Sequence, residues 1–339
     1  MTRNVSIVAC QFVIKPVASF DEFANHARGL LDQAVGADLV LFPELFTVEL
    51  FTTFPDWQDV PISELTRIHK HGNTNYTEEY RSLFESEAKE RGQHIVAGSH
   101  LEEKDGKYMN VAYLYGPDGL IHTHDKTHIF PAEAQWSTSE GDTIELIELP
   151  FAKVGFNVCY EAEIPECAAT LTEQGAEIIL CPSFTFTEQG FWRVRHSAQA
   201  RCIENQVYFV HCATGANVPA DGPLPSGWTS SSILGPCDIP WDNPNGVIAE
   251  ASEPNREMVV RGKVDLDKLH EAREKSVAPT YRIVGAAQIF IKSGHRTCLA
   301  MPSGSAPPLD SQALGKSADY CFDFVQSELL LVRTILRVK

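Results

Sequence analysis

The chain has 339 residues, 43% of them hydrophobic and 22% charged, with a formal net charge of -17. That is ample apolar material for a large core, and the acidic balance argues against nucleic acid, whose phosphates need Lys and Arg to neutralise them. The nine cysteines form no CxxC pair and several lie in apolar strands, which fits a reduced chain and speaks against a disulfide framework or a zinc knuckle.

The start, Met1-Thr2-Arg3-Asn4-Val5, enters a strand with no apolar signal core, so a cytoplasmic protein is expected. No run of about 18 apolar residues offers a membrane span. Residues 5–13 alternate and predict a first strand. Ser19-Phe20-Asp21-Glu22 reads as a capping box that opens a helix carrying Phe23, Ala27, Leu30, Leu31 and Ala34, closed by Gly36. An apolar strand over 38–42 then delivers Glu44 at its tip. Residues 45–75 hold no sustained period and predict a long loop overhanging the site. A helix over 76–91 and a strand over 94–99 follow. Residues 107–115 and 120–124, around Gly116-Pro117-Asp118-Gly119, predict a hairpin whose second arm leads to Lys126 and, on the same connection, Glu133.

Strands over 145–149 and 153–159, a helix over 165–174 and a strand over 176–181 form a second strand–helix–strand unit. A helix over 188–205, a strand over 206–212 and strands near 229–234, 246–250 and 257–264 complete the pattern. The echo between the two units predicts an α/β fold of two packed sheets with helices outside, a four-layer α-β-β-α sandwich. One domain is expected over 1–290. Residues 291–339 are expected to be an extension, with a Pro/Gly/Ser-rich connector over 301–316 and an amphipathic helix over 322–338 packing on its own subunit or a neighbour.

Residues 154–161, Val-Gly-Phe-Asn-Val-Cys-Tyr-Glu, place Cys159 where a strand gives way to a helical turn. Such a turn mounts a nucleophile on rigid elements, though a buried apolar cysteine is the commoner case. A thiol with a pKa of about 8.5 needs a base, which Glu44 can supply. An acyl-transfer intermediate needs oxyanion donors, which the Lys126 ammonium and the Tyr160 backbone N–H can supply. Singly, Glu44, Lys126 and Glu133 read as solvated side chains; together, ahead of a thiol, they read as a site. His122, His124 and His128 make a poor metal cluster, because no further carboxylate or cysteine ligand joins them and Lys126 between them repels a cation. With no GxGxxG or GxxxxGK pattern either, no cofactor is expected.

These pieces resemble the nitrilase, or carbon–nitrogen hydrolase, superfamily. The matching segments are Phe42-Pro43-Glu44, Lys126-Thr127-His128-Ile129-Phe130, Cys159-Tyr160-Glu161 with Pro165-Glu166, and Arg201-Cys202-Ile203-Glu204-Asn205-Gln206-Val207-Tyr208. The resemblance implies the α-β-β-α fold, a Glu44, Lys126 and Cys159 triad, and Glu133 as a second glutamate that positions substrate and assists proton transfer, with Trp136 just after it. It implies an enzyme that cleaves a non-peptide C–N bond of a small-molecule amide or N-carbamoyl compound through a Cys159 thioester, releasing ammonia or amine. It also implies a homodimer or larger homo-oligomer, paired through helices near 165–175 and 190–205.

Cys159-Tyr160-Glu161 departs from both the Cys-Trp-Glu of true nitrilases and the Cys-Tyr-Asp of amidase branches, but is nearer the amidase side, so a nitrile is the second choice of substrate. Where carbamoylases place arginines to hold a carboxylate, this chain has Glu161-Ala162-Glu163, which speaks against a carboxylate contact from that segment and permits a neutral or cationic substrate; a structural or solvent-facing place for Glu161 and Glu163 is the alternative. Tyr160, Trp136 and Phe184 are expected at the substrate site, with Phe186 and Trp192 either beside them or in the core. A catalytically silent scaffold with the same fold is the reading of another class.

Overall fold

The structure is a computed structural model that describes residues 3–55, 57–60, 74–135, 139–216, 224, 227–276 and 278–281. Trp136, the connector over 301–316 and the helix over 322–338 lie outside the described residues. The first half comprises β1 (Asn4–Gln11), β2 (Val13–Ile14), α1 (Phe20–Gln33), β3 (Leu39–Leu41), α2 (Thr77–Arg91), β4 (His94–Lys104), β5 (Lys107–Gly116) and β6 (Gly119–Asp125). The second comprises β7 (Ile147–Glu148), β8 (Lys153–Phe156), α3 (Pro165–Glu173), β9 (Ile178–Ser183), α4 (Glu188–Asn205) and β10 (Tyr208–Ala213). After it come β11 (Gly215–Ala216), β12 (Ser232–Leu234), β13 (Val247–Glu250), β14 (Met258–Asp265) and α5 (Leu266–Lys275).

One sheet runs β14-β1-β3-β4-β5-β6 and the other β13-β12-β10-β9-β8-β7. The pairs β1/β3, β3/β4, β8/β9 and β9/β10 are parallel. Parallel neighbours cannot be joined by a hairpin, so α1, α2, α3 and α4 serve as the crossovers. Strand alternation sorts the side chains between layers. Val5, Ile7, Ala9, Leu39, Leu41 and Val96 pack with Val154, Phe156, Val210 and Ile233 of the second sheet. Val8, Cys10, Val40, Phe42 and Ile95 turn outward to Phe23, Ala27 and Leu30 of α1 and to Tyr80 and Phe84 of α2. The result is the α-β-β-α sandwich.

The start of α1 is capped by Ser19, whose hydroxyl accepts the Glu22 N–H at 3.3 Å, while the Glu22 carboxylate reaches the N–H of Ala18 at 2.8 Å, one residue earlier than a capping box requires. The segment expected as an overhanging loop after Glu44 begins instead as a 3-10 helix, Phe46–Thr53, with Phe46, Val48, Leu50 and Phe51 buried. It read as a loop because it holds no sustained period. In the fold Thr52 bonds the Glu49 carbonyl at 2.8 Å and Thr53 the Leu50 carbonyl at 2.7 Å, while Thr47 meets His100 Nδ1 at 3.0 Å. Residues 61–73 lie outside the described residues. Helix α5 was not legible as a separate element; Asp265 caps it, accepting the Lys268 N–H at 3.0 Å, and Leu266, Leu269 and Ala272 bury its inner face. Among the described residues no helix is long and apolar enough to cross a membrane.

Candidate active site

Parallel strands send their C-terminal ends to one edge, where the connections form a crevice. Three of the sequence-predicted residues arrive this way. β3 runs out into Glu44, β8 into Cys159 and β9 into Phe184, whose N–H donates to Glu44 Oε2 at 2.8 Å. Lys126 follows the end of β6, its N–H paired with the Asn110 carbonyl at 2.9 Å.

Two tight turns set the side-chain directions. Leu45, after the glutamate, has φ +47°, and Cys159 itself has φ +48°. These left-handed conformations cost of order 1–3 kcal/mol each for a non-glycine residue and persist only where surrounding structure fixes them. The glutamate turn is fixed from β4. Ser99 Oγ accepts the Leu45 N–H at 3.1 Å, and Gly98, at φ +67°, leaves room for the Pro43 carbonyl, which would lie 2.0 Å from a Cβ at that position. Glycine there is required by the close approach as well as by φ.

The polar centre is a buried network. Lys126 Nζ donates to Glu44 Oε1 at 2.7 Å and to Glu133 Oε2 at 2.5 Å. Asn110 Nδ2 donates to Glu44 Oε1 at 2.9 Å and to Glu133 Oε1 at 2.8 Å. All four side chains, and Cys159, are buried. Burial alone would disfavour the Lys126 ammonium, but the facing charges of Glu133 and Glu44 hold its pKa well above the ordinary lysine value. Burial raises the Glu44 carboxyl, with Glu133 adding to the rise and Lys126 opposing it. Burial and the Glu44 charge also push the Cys159 thiol up, against the pull of Lys126. Both effects favour the thiol, which lies 3.7 Å from the Phe184 carbonyl it donates toward, beside a carboxyl whose pKa burial raises.

Asn110 is the member of this network that sequence reasoning missed; its only signal was an amide directly ahead of the apolar run 111–115 of β5. Thr214, whose hydroxyl donates to the Glu44 carbonyl at 2.7 Å, gave no signal at all. Tyr160 is half-buried, edge-on to Phe130 at 5.6 Å between ring centroids. Phe184 is buried and meets Phe186 edge-on at 5.2 Å. Trp192 is 39% exposed on α4 and stacks on His196.

The charge expected of Glu161-Ala162-Glu163 is not offered to a ligand. Glu161 is fully buried and bonded to His124 and Thr127, and Glu163 is paired with Arg193 at 2.7 Å. The inference of a neutral or cationic substrate from that segment loses its basis. His122 faces Glu145 at 3.8 Å and His124 faces Glu161 at 3.0 Å. Among the described residues no three His, Cys, Asp or Glu side chains are grouped to hold a metal ion.

Two stacked sheets between helical layers, with carboxylates, a lysine and a cysteine on one edge, define a protein of the nitrilase-type sandwich class. The family model for carbon-nitrogen hydrolases matches residues 5–274, and the chain belongs to that family. Among curated relatives, the probable hydrolase YhcX of Bacillus subtilis is 37% identical over 273 residues, a match covering 80% of this chain and 52% of that protein. The chain thus spans about half the length of that relative. Omega-amidase NIT2 of Xenopus tropicalis is 30% identical over 280 residues, covering 78% of this chain and 90% of its own. Among solved structures, Saccharomyces cerevisiae Nit3 superposes with a TM-score of 0.64 at 21% identity, covering 80% of this chain and 93% of that one. An amidase from Nesterenkonia sp. superposes with 0.60 at 19% identity, covering 80% and 94%. At these identities the two structures attest the fold.

Proposed function

We propose that the protein hydrolyses a non-peptide C–N bond, in a small-molecule amide or N-carbamoyl compound, through a thioester on Cys159. The observation that carries this is the Lys126 ammonium held between Glu44 and Glu133 on the edge that also mounts Cys159. Membership of the carbon-nitrogen hydrolase family and relatives described as omega-amidases support an amide over a nitrile.

Burial and the Glu44 charge both oppose ionisation of the resting thiol. Its proton therefore passes to Glu44 as the sulfur attacks the carbonyl carbon. The developing oxyanion takes donors from Lys126 and the Tyr160 N–H. Glu44 returns the proton to the departing ammonia or amine, leaving a thioester. The same carboxylate then takes a proton from water, which attacks the thioester and releases the acid and the thiol. Glu133 and Asn110 keep the ammonium and the Glu44 carboxylate in register throughout.

The test is ammonia or amine release from a panel of aliphatic amides, ω-amides, N-carbamoyl amines and nitriles, run beside Cys159→Ala. Release from an amide or carbamoyl compound that vanishes in the variant is expected. Equal release by the variant, or preference for a nitrile, would overturn the proposal, and no release from any compound would favour the silent scaffold.

A further inference from the structure

We infer that Glu161 is a positioning residue for this reaction, its buried carboxylate clasping the segment that carries Lys126 to the turn that carries Cys159. The inference rests on the proposed function for its consequence, but the geometry stands by itself. Glu161 Oε1 accepts the Thr127 N–H and the Thr127 hydroxyl, each at 2.6 Å. Oε2 accepts the Val158 N–H at 2.5 Å, and His124 Nε2 lies 3.0 Å from both oxygens. Thr127 directly follows Lys126, and His124 precedes it by two residues. Val158 directly precedes Cys159. A single side chain therefore bonds to backbone or side-chain groups flanking the lysine on one element and the cysteine on another.

The carboxylate is suited to this place because everything around it donates. Two backbone N–H groups, a hydroxyl and an imidazole converge on two acceptor-only oxygens. Burial alone would raise the Glu161 carboxyl, but the facing His124 charge and the bonds from His124 and Thr127 outweigh it and hold the group below the usual carboxylate range. Burial would lower His124, and Glu161 raises it instead. Each partner thus favours the charged form of the other. A glutamine would bring N–H groups into a shell of donors and leave at least one of them unpaired.

The bond to Val158 also stands next to the strained Cys159 backbone, φ +48°, which needs such fixing. Glu161 is fully buried, and both its oxygens are taken up by Thr127, Val158 and His124, which makes it a positioning group and not a reacting one. Its influence passes through the relative placement of ammonium and sulfur, where a misplacement of about 1 Å can cost about 10²-fold in rate.

The test compares Glu161→Gln with Glu163→Gln, the latter removing a charge two residues on without touching the clasp. Four quantities are read: kcat, KM, the rate at which iodoacetamide alkylates Cys159 as mapped by peptide mass, and the melting temperature. Glu161→Gln is expected to lower kcat by about 10–10²-fold with KM within about twofold, and to slow Cys159 alkylation alongside, while Glu163→Gln matches the parent. Should Glu161→Gln fail to fold, Glu161→Asp keeps the charge but is too short to span both elements, and the same losses in smaller measure are expected. Wild-type kcat and alkylation in a folded Glu161→Gln overturn the inference, as does a raised KM with kcat unchanged, which would make Glu161 a substrate contact. If the parent releases no ammonia from any compound, the hydrolase proposal fails while slowed alkylation in Glu161→Gln still supports the clasp.

Discussion

Lys126 Nζ lies 2.7 Å from Glu44 Oε1 although the two residues are 82 apart in the chain, and both side chains are almost fully buried. A buried ammonium of this kind is tolerable only while its partners are present, because an unpaired charge in the interior costs several kcal/mol.

Lys126→Ala is accordingly expected to act twice. Loss of an oxyanion donor lowers kcat by about 10²–10³-fold. Leaving Glu44 and Glu133 facing each other without their cation lowers stability by about 3–5 kcal/mol, unless one of them takes up a proton. Single-turnover kinetics and denaturant melts separate the two effects. Wild-type turnover in the folded variant would remove Lys126 from the mechanism.

Asn110 gives each carboxylate a neutral donor. Asn110→Asp puts a third carboxylate in the cluster, which raises the Glu44 carboxyl further above its already raised position. Glu44 acts as a base only when ionised, so activity is lost as pH falls through its pKa. The acid limb of kcat/KM, already above the ordinary carboxylate value in the parent, is expected to move to higher pH in the variant. A pH profile from 4 to 9, about one point per half unit, reads the shift. An unmoved limb would mean that Glu44 is not the group titrating there.

Gly98→Ala and Gly36→Ala make a matched pair. Both glycines have positive φ, but a Cβ at Gly98 would lie 2.0 Å from the Pro43 carbonyl whereas one at Gly36 meets nothing within 4 Å. The Gly36 change is expected to cost about 1–2 kcal/mol, the left-handed penalty alone, and to spare turnover. The Gly98 change is expected to cost more and to lower kcat, because Pro43 must shift and Glu44 moves with it. Similar melts and similar kcat in the two variants would show that the approach of β4 does not hold the glutamate.

His26 offers a pH test of the fold apart from the site. Its Nδ1 meets Glu49 at 2.7 Å and its Nε2 meets Glu257 at 2.5 Å, tying α1 to the 3-10 helix and to the residue just before β14. Burial alone lowers His26, but the bonds to Glu257 and Glu49 raise it above its ordinary 6.5. Its contribution to stability is therefore full below 6.5 and lost as pH rises through the folded value. Burial would raise Glu257, but the bond to His26 outweighs it and the group falls below its ordinary 4.5. Its contribution is present above 4.5 and lost as pH falls through the folded value. His26→Ala is expected to lower the melting temperature most at pH 5–6 and least above the His26 pKa; a loss independent of pH would mean that packing against Phe12 outweighs the charge.

Much of the fold was legible because its determinants are local. The alternation of residues 5–13, the Ser19 cap and the apolar run over 38–42 are each local signals of a strand or helix, and the repeated strand–helix–strand units imply crossovers and hence parallel neighbours at the centre of each sheet. Phe46–Thr53 was misread for the converse reason. Its Phe46, Val48, Leu50 and Phe51 are buried and its Thr47 meets His100, 53 residues away, contacts that no local period announces.

The order of Glu44, Lys126, Glu133 and Cys159 was likewise present in the chain itself, and for Glu44 and Cys159 so was the reason they share an edge, since parallel strands deliver their ends to one side. What each charged group does there was decided by tertiary structure alone. Nothing near Asn110 in the chain shows that its amide will bridge two carboxylates, and Glu161, read from its neighbours, looked as able to face a substrate as to be buried. Its partners, His124 and Thr127, lie more than thirty residues away in the chain. Ionisation and hydrogen bonding depend on through-space distance and on the exclusion of water, and neither exists until the two sheets have closed on each other.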